Sequence, residues 1–336
     1  MTVDINRKHV GIIGGGAWGT ALAATLHRAG REVTVWAREP EVIEAINRHH
    51  VNSVFLPGIP LNPKIRATAD LARAANADIV LLVVPAQHTR SVCRNLRPHF
   101  QPGGRVIICT KGIETGSLAL MSEVVADTLG DARIAVLSGP TFAAEVAHGM
   151  PSAATVAAAN MPVAGQLAKE IGSVNFRLYH TSDVIGVQIG GAVKNVIAIA
   201  CGIANSRGYG KNTSAALITR GLAEMARLGA ALGASRETLM GLSGVGDLLL
   251  TCGYEQSRNL TLGIALGRGA ALDDYLSGQV SVAEGVASAA AVAALAVRHE
   301  IDMPIVSAVD AVLNHGVDID HTIAALLARQ FIPEAM

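Results

Sequence analysis

The chain has 336 residues, half of them apolar, with 16% charged, 3% aromatic and 35 glycines. Lys+Arg and Asp+Glu both number 27, so the formal charge is zero. Such a length exceeds what one hydrophobic core usually organises, which predicts two domains. The apolar content excludes disorder, and neutrality with so few aromatics excludes both a basic stripe for nucleic-acid phosphates and stacking platforms for bases.

In chain order, Val10–Ile13 is a short apolar run, followed by glycines and a helical stretch ending near Gly30. Val33–Trp36 is a second β-branched run, Glu41–Arg48 is helical, and a loop carries Pro57, Pro60 and Pro63. There follow a strand over Asp78–Val84, a helix over Thr89–Leu96, a strand over Arg105–Cys109, a helix over Ser117–Leu129 and a strand over Ile134–Leu137. Apolar strands separated by helices of about ten residues predict a doubly wound, Rossmann-like parallel sheet over residues 1–182. From about Asp183 the segments turn alanine- and leucine-rich without convincing strands, and residues 183–336 read as an all-helical domain. Its helices include Thr213–Leu232, with Thr213 and Ser214 as capping candidates and Arg220, Glu224 and Arg227 at helical spacing. Val286–His299 and Ile305–Leu313 continue the pattern.

Two apolar stretches invite a membrane reading, Val10–Leu26 and Gly285–Val297, but glycines break the first and the second is short and mostly alanine. No cleavable leader is evident, and Cys93, Cys109, Cys201 and Cys252 have no metal-knuckle or redox spacing. A reduced, cytoplasmic protein without stable membrane insertion is expected. No His, Cys or carboxylate pattern suggests a metal.

Gly14-Gly15-Gly16-Ala17-Trp18-Gly19 fits G-x-G-x-x-G between a strand and a helix. Gly14 permits the tight turn, Gly16 lets a pyrophosphate approach the backbone, and Gly19 lets helix and sheet pack closely. The helix N-terminus presents N–H groups to the phosphates. The second strand ends in Ala37-Arg38, with no acid before Glu39. An acid there would repel a 2′-phosphate, whereas Arg38 is placed to pair with one; an ordinary solvated arginine is the alternative. NADPH is expected to be accepted at least as well as NADH.

Lys194 is the only charged residue between Asp183 and Arg207, in the apolar run Ile189–Ile197. It either snorkels to water or faces a polar cleft, where burial or a second cation would lower its pKa. Neighbouring Gly190, Gly191 and Asn195 favour a site, since small residues permit close approach of a ligand. Lys111 and Ser138-Gly139-Pro140-Thr141 follow successive strands, at the carboxyl edge where doubly wound sheets bind ligands. Asp247 precedes an apolar helix start and reads either as an N-cap or as part of a site. Gln256-Ser257-Arg258-Asn259 concentrates donors suited to a phosphate, or forms a surface loop.

Six blocks together resemble the bacterial NAD(P)-dependent glycerol-3-phosphate dehydrogenases: Gly14–Thr20, Thr110-Lys111-Gly112, Leu137–Ala143, Gly190–Asn195, Gly246-Asp247-Leu248 and Ser257-Arg258-Asn259. The likeness runs in order from about Val10 to beyond Pro304, with Ala17 standing where many members have serine. It implies reversible reduction of dihydroxyacetone phosphate to sn-glycerol 3-phosphate for phospholipid synthesis, with NADPH/NADP or NADH/NAD and a homodimeric assembly. Carried over by position, Lys194 is the general acid/base, and Lys111 touches cofactor and substrate. Asn195, Asp247 and Thr251 complete the polar cluster at the reacting carbon. Gly139 and Thr141 line the substrate, and Ser257, Arg258 and Asn259 hold its phosphate. Gly14, Gly16, Gly19, Ala17, Trp18, Arg38, Lys111, Ala143, Arg258, Val282 and Glu284 match cofactor-contacting positions. A related 3-hydroxy-acid or 3-hydroxyacyl dehydrogenase, which needs no phosphate anchor, and a non-catalytic NAD(P)H sensor, which needs no lysines, are the alternatives.

Overall fold

The structure is a computed structural model that describes residues 8–278 and 283–330. The chain forms two compact units: one holds the described residues up to Thr110 together with Met121–Val184, the other holds Lys111–Leu120 and the described residues from Ile185 onward.

In the first unit, elements alternate as β1 (His9–Ile13), α1 (Ala17–Arg28), β2 (Glu32–Trp36), α2 (Pro40–Glu44), β3 (Arg66–Thr68), α3 (Leu71–Ala75), β4 (Ile79–Leu82), α4 (Thr89–Leu96) and β5 (Arg105–Ile108). They continue as α5 (Met121–Leu129), β6 (Arg133–Ser138), α6 (Ala143–His148), β7 (Ser152–Ala158), α7 (Met161–Ile171) and β8 (Phe176–Thr181). The eight strands lie in the order β3-β2-β1-β4-β5-β6-β7-β8. Every neighbouring pair is parallel except β6 and β7. The order turns back at β1 and β4, so the glycine-rich turn after β1 stands at the switch point where such sheets bind ligands. Strands β1, β4 and β5 are almost wholly buried, as apolar strands covered on both faces must be.

Some local expectations give way to geometry. The helix expected over Ser117–Leu129 begins only at Met121, because Leu118 turns to φ 61° and Ile113 bridges to Leu120. Beyond Glu44 the second helix widens into a π turn, Ala45–His49, that His50 ends in the left-handed region. Strands β3, β7 and β8 escape the sequence pattern: β7 is alanine-rich, and the exposed β8 carries Arg177 and His180. Pairing within the sheet, rather than residue propensity, makes them strands.

The second unit is helical: α8 (Val184–Ser206), α9 (Lys211–Ala231), α10 (Arg236–Leu239), α11 (Asp247–Gly253), α12 (Arg258–Gly267), α13 (Leu272–Ser277), α14 (Glu284–Arg298), α15 (Pro304–His315) and α16 (Ile319–Leu327). The apolar stretch that best meets the length and hydropathy of a membrane span is α8, not the two segments singled out in the sequence, and 89% of its most apolar window is buried as core. Ile113 and Leu120 join this core, which explains why residues 111–120 belong here.

Thr213 and Ser214 do not cap α9: it starts at Lys211 behind Gly210, and Ser214 bonds Asn205 Oδ1 at 2.9 Å. Nor does Glu224 serve a surface ladder with Arg220 and Arg227. It is buried, and its two oxygens accept the Ile305 and Val306 N–H groups at 2.8 and 3.1 Å. Those amides open α15, which has no side-chain cap of its own. Arg227 extends the clasp through two donations to the Asp302 carbonyl. Glu224→Ala strands both amides, so thermal or urea unfolding of the helical unit should show a loss of about 3 kcal/mol. A loss within experimental error would mean that water replaces the cap.

Candidate active site

The glycine turn is built for backbone approach. Gly14 has φ 131°, and a Cβ there would stand 2.6 Å from the Val83 carbonyl oxygen. At Gly19 a Cβ would meet the Gly14 oxygen at 1.9 Å, so helix α1 seats on the turn only without one. Around Gly16 nothing lies within 4 Å of a Cβ, which leaves open space in front of the α1 N-terminus. Helix α1 has no side-chain cap and no acid in its first turn, so its amides and dipole face that space uncompensated. The buried Trp18 Nε1 and Ser138 Oγ lack hydrogen-bond partners among the described residues. A glycine cradle, free helix-terminal amides and unpaired donors fit a nicotinamide dinucleotide.

The other expected contacts in this unit are positioned as follows. Ala17 and Trp18 open α1, and Ala143 opens α6. Gly139 follows β6 at φ 150°, and Thr141 folds back to donate to its carbonyl at 3.2 Å. Arg38, its side chain 78% exposed, forms a 3.1 Å surface pair with Glu39. Such exposed pairs contribute little and leave the guanidinium available to another anion.

The second unit gathers four of the expected residues. Lys194 lies 7% exposed in the middle of α8, so it does not snorkel. Its Nζ donates to Asp247 Oδ1 at 2.6 Å and to Thr251 Oγ1 at 2.8 Å. The Lys111 ammonium donates to the other carboxylate oxygen, Oδ2, at 2.7 Å. Thr251 gives its own proton to the Asp247 carbonyl at 2.6 Å, so its lone pair faces the lysine. An ammonium has three protons, and two of those on Lys194 are held; the third has no partner among the described residues.

Asp247, 1% exposed, is not an N-cap: Gly246 caps α11, and Asp247 is its first residue. A π turn, Leu242–Gly246, feeds it into place. Gly190 on α8 permits this approach, since a Cβ there would meet the Ser243 carbonyl at 2.2 Å. The glycine beside Lys194 thus serves contact between protein backbones rather than a ligand. Burial pulls the Lys194 pKa down to about 8, Asp247 opposes that shift, and Lys111 adds to it.

Three expected residues have other engagements. Asn195 turns away from the lysines: its Nδ2 donates to the Gly191 carbonyl at 3.3 Å and its Oδ1 accepts from Asn259 at 2.9 Å. Asn259 in turn accepts the Gly285 N–H at 3.0 Å. Ser257 is the N-cap of α12 and accepts from Leu260. Arg258, the first residue of α12, accepts the Thr261 hydroxyl proton at its carbonyl at 3.1 Å, its side chain makes no hydrogen bond among the described residues, and Glu284 at the start of α14 acts on that side chain electrostatically. Val282 lies outside the described residues. Asn52, just ahead of the proline-studded loop, carries no spacing that marks it in the sequence, yet it contacts the glycine turn.

A switch-point glycine turn on a doubly wound sheet, with a helical unit holding a lysine pair around one carboxylate, defines the class of nicotinamide-dependent dehydrogenases. Comparison with known proteins narrows this. Residues 9–164 match the model of the NAD-dependent glycerol-3-phosphate dehydrogenase N-terminus, and residues 183–324 match that of its C-terminus. A glycerol-3-phosphate dehydrogenase [NAD(P)+] of Parvibaculum lavamentivorans is 52% identical over 97% of this chain and 98% of its own length. One from Caulobacter vibrioides is 53% identical over 98% and 99%. The crystal structure of glycerol-3-phosphate dehydrogenase from Coxiella burnetii superposes with a TM-score of 0.92 at 38% identity, covering 96% of this chain and 99% of that one. The chain belongs to the NAD-dependent glycerol-3-phosphate dehydrogenase family.

Because Asp247 accepts from both ammoniums, Asp247→Asn should destabilise the helical unit by about 3 kcal/mol at pH 7. Without that carboxylate the buried Lys194 would bind fewer protons folded than unfolded, so the deficit should shrink as pH rises. Thermal unfolding at pH 7 and 9 checks this; a pH-independent deficit would contradict it.

Proposed function

We propose that the enzyme reversibly reduces dihydroxyacetone phosphate to sn-glycerol 3-phosphate, with Lys194 as general acid in that direction and general base in the other. The observation that carries this reading is the third Lys194 proton, left over on a buried ammonium whose other two are fixed by Asp247 and Thr251. Residues 1–182 act as the nucleotide-binding domain and 183–336 as the substrate domain.

The Gly14–Gly19 turn would hold the pyrophosphate of a nicotinamide dinucleotide, whose reduced ring would supply a hydride to the carbonyl carbon. As negative charge grows on the carbonyl oxygen, Lys194 donates its proton there and is left as a neutral amine. Two ammoniums around one carboxylate leave a net positive charge, and Lys111 supplies the part that stabilises the forming oxyanion. Asp247 orients both amines, and Thr251 fixes the rotation of Lys194.

Arg258 and the α12 amides hold the substrate phosphate, and binding energy spent there positions the ketone. The side chains of Ser257 and Asn259 brace that helix end, and Asn195 braces Asn259. Gly139 and Thr141 contribute at the substrate. Ala17, Trp18, Ala143, Val282 and Glu284 contribute at the cofactor. The phosphate anchor favours this substrate over an unphosphorylated 3-hydroxy acid. The same reading makes the enzyme a cytoplasmic homodimer that supplies the glycerol backbone of phospholipids, as the resemblance of its motifs supports.

Lys194→Ala should lower kcat by about 10²–10⁴-fold with NADPH affinity retained. In the parent enzyme, kcat/KM for reduction should fall as pH rises through about 8, where the ammonium gives up its proton. Spectrophotometric assay with dihydroxyacetone phosphate tests both; near-normal turnover of the variant would refute the assignment. Arg38 receives the 2′-phosphate of NADPH, so Arg38→Asp should shift the NADPH/NADH ratio of kcat/KM toward NADH by about tenfold or more. An unchanged ratio would remove Arg38 from the cofactor site.

A further inference from the structure

We infer that Asn52 is a positioning residue for the dinucleotide pyrophosphate, acting through the Gly15–Gly16 peptide. Its side chain is fully buried, yet it belongs to a loop distant in sequence from the glycine turn. Nδ2 donates to the Gly15 carbonyl at 2.8 Å and to Thr20 Oγ1 at 2.7 Å. Oδ1 accepts the Phe55 N–H at 3.0 Å, and the Asn52 carbonyl accepts the Leu56 N–H at 3.0 Å. Both amide protons and both of its oxygens are therefore committed, which fixes the residue in one orientation.

The consequence follows from peptide planarity. In a trans peptide the C=O and the following N–H point in opposite directions. By drawing the Gly15 carbonyl toward the protein interior, Asn52 turns the Gly16 N–H the other way. That amide has no hydrogen-bond partner among the described residues, and the space in front of Gly16 is open. The Thr20 contact holds the first turn of α1 to the same side chain, since the Thr20 N–H also bonds the Gly16 carbonyl at 2.9 Å. Glycines at 14, 15 and 16 make the turn conformationally permissive. A permissive turn binds an anion well only if something else fixes the direction of its donors.

The inference rests on the reading of this turn as the dinucleotide site, and binding measurements separate the two. Dissociation constants of NADPH, NADH, ADP-ribose and adenosine are measured by calorimetry for the full-length parent, Asn52→Ala and Asn52→Asp. The aspartate keeps the shape and the Phe55 acceptor but sets an oxygen against the Gly15 carbonyl.

The expected result is weakening by about fivefold or more for the three pyrophosphate-bearing ligands. Adenosine, which lacks the pyrophosphate, should stay within about twofold. At saturating cofactor, kcat should stay within about threefold. Weakening below fivefold in a folded variant, or equal weakening of adenosine, would overturn the role. If neither variant folds, Asn52 serves the fold and the proposal falls. A parent enzyme that binds none of the pyrophosphate ligands would overturn the reading of the turn itself.

Discussion

Asp247 is one buried carboxylate divided between two ammoniums, the buried Lys194 on one oxygen and the partly exposed Lys111 on the other. Lys194, 7% exposed, would not be tolerated there as a cation without it, because removing a charge from water costs several kcal/mol unless it is paired. Much local structure exists to bring these groups together. Residues 111–120 join the helical unit, seated by Ile113 and Leu120. A π turn aims Asp247, and Gly190 lets α8 come against the backbone of that turn. Insertions of this type recur at functional sites, where they redirect a side chain that a regular helix would misplace.

On the proposed reading, the arrangement serves proton transfer. Burial first, and the neighbouring Lys111 charge after it, draw the Lys194 pKa down to about 8 against the opposing pull of Asp247. An acid tuned in this way holds its proton at physiological pH and releases it at modest cost when a neighbouring oxygen becomes negative. The nucleotide unit meets a different demand. It must present backbone donors to an anion, and it does so with a turn almost devoid of side chains, whose permissiveness is offset by Asn52.

Much of this was legible in the sequence. The glycine fingerprint stands out because a tight turn, an open approach and a close helix contact each require the absence of Cβ, at fixed spacing. Lys194 stands out because a lone charge in an apolar helix demands a physical reason. Asp247 is 53 residues away and Lys111 is 83, and only the fold reveals that the two lysines share that one carboxylate. Asp247 before an apolar helix resembles any cap, and Asn259 beside Arg258 resembles any phosphate ligand until its donor and acceptor are seen to be committed elsewhere. Glu224 illustrates the same limit: its helical spacing to two arginines is real, but a tertiary demand for a cap on α15 prevails. The alanine-rich β7 is not legible in the sequence because its strand character comes from its neighbours.

The most direct measurement is the titration of Lys194 itself, by NMR of enzyme carrying carbon-13 at the lysine ε position, assigned by comparison with Lys194→Arg. The shared-carboxylate account predicts a midpoint near 8, moving upward in Lys111→Met as the like charge is removed. A midpoint near 10.4, the value of a solvated lysine, unaffected by Lys111, would contradict it.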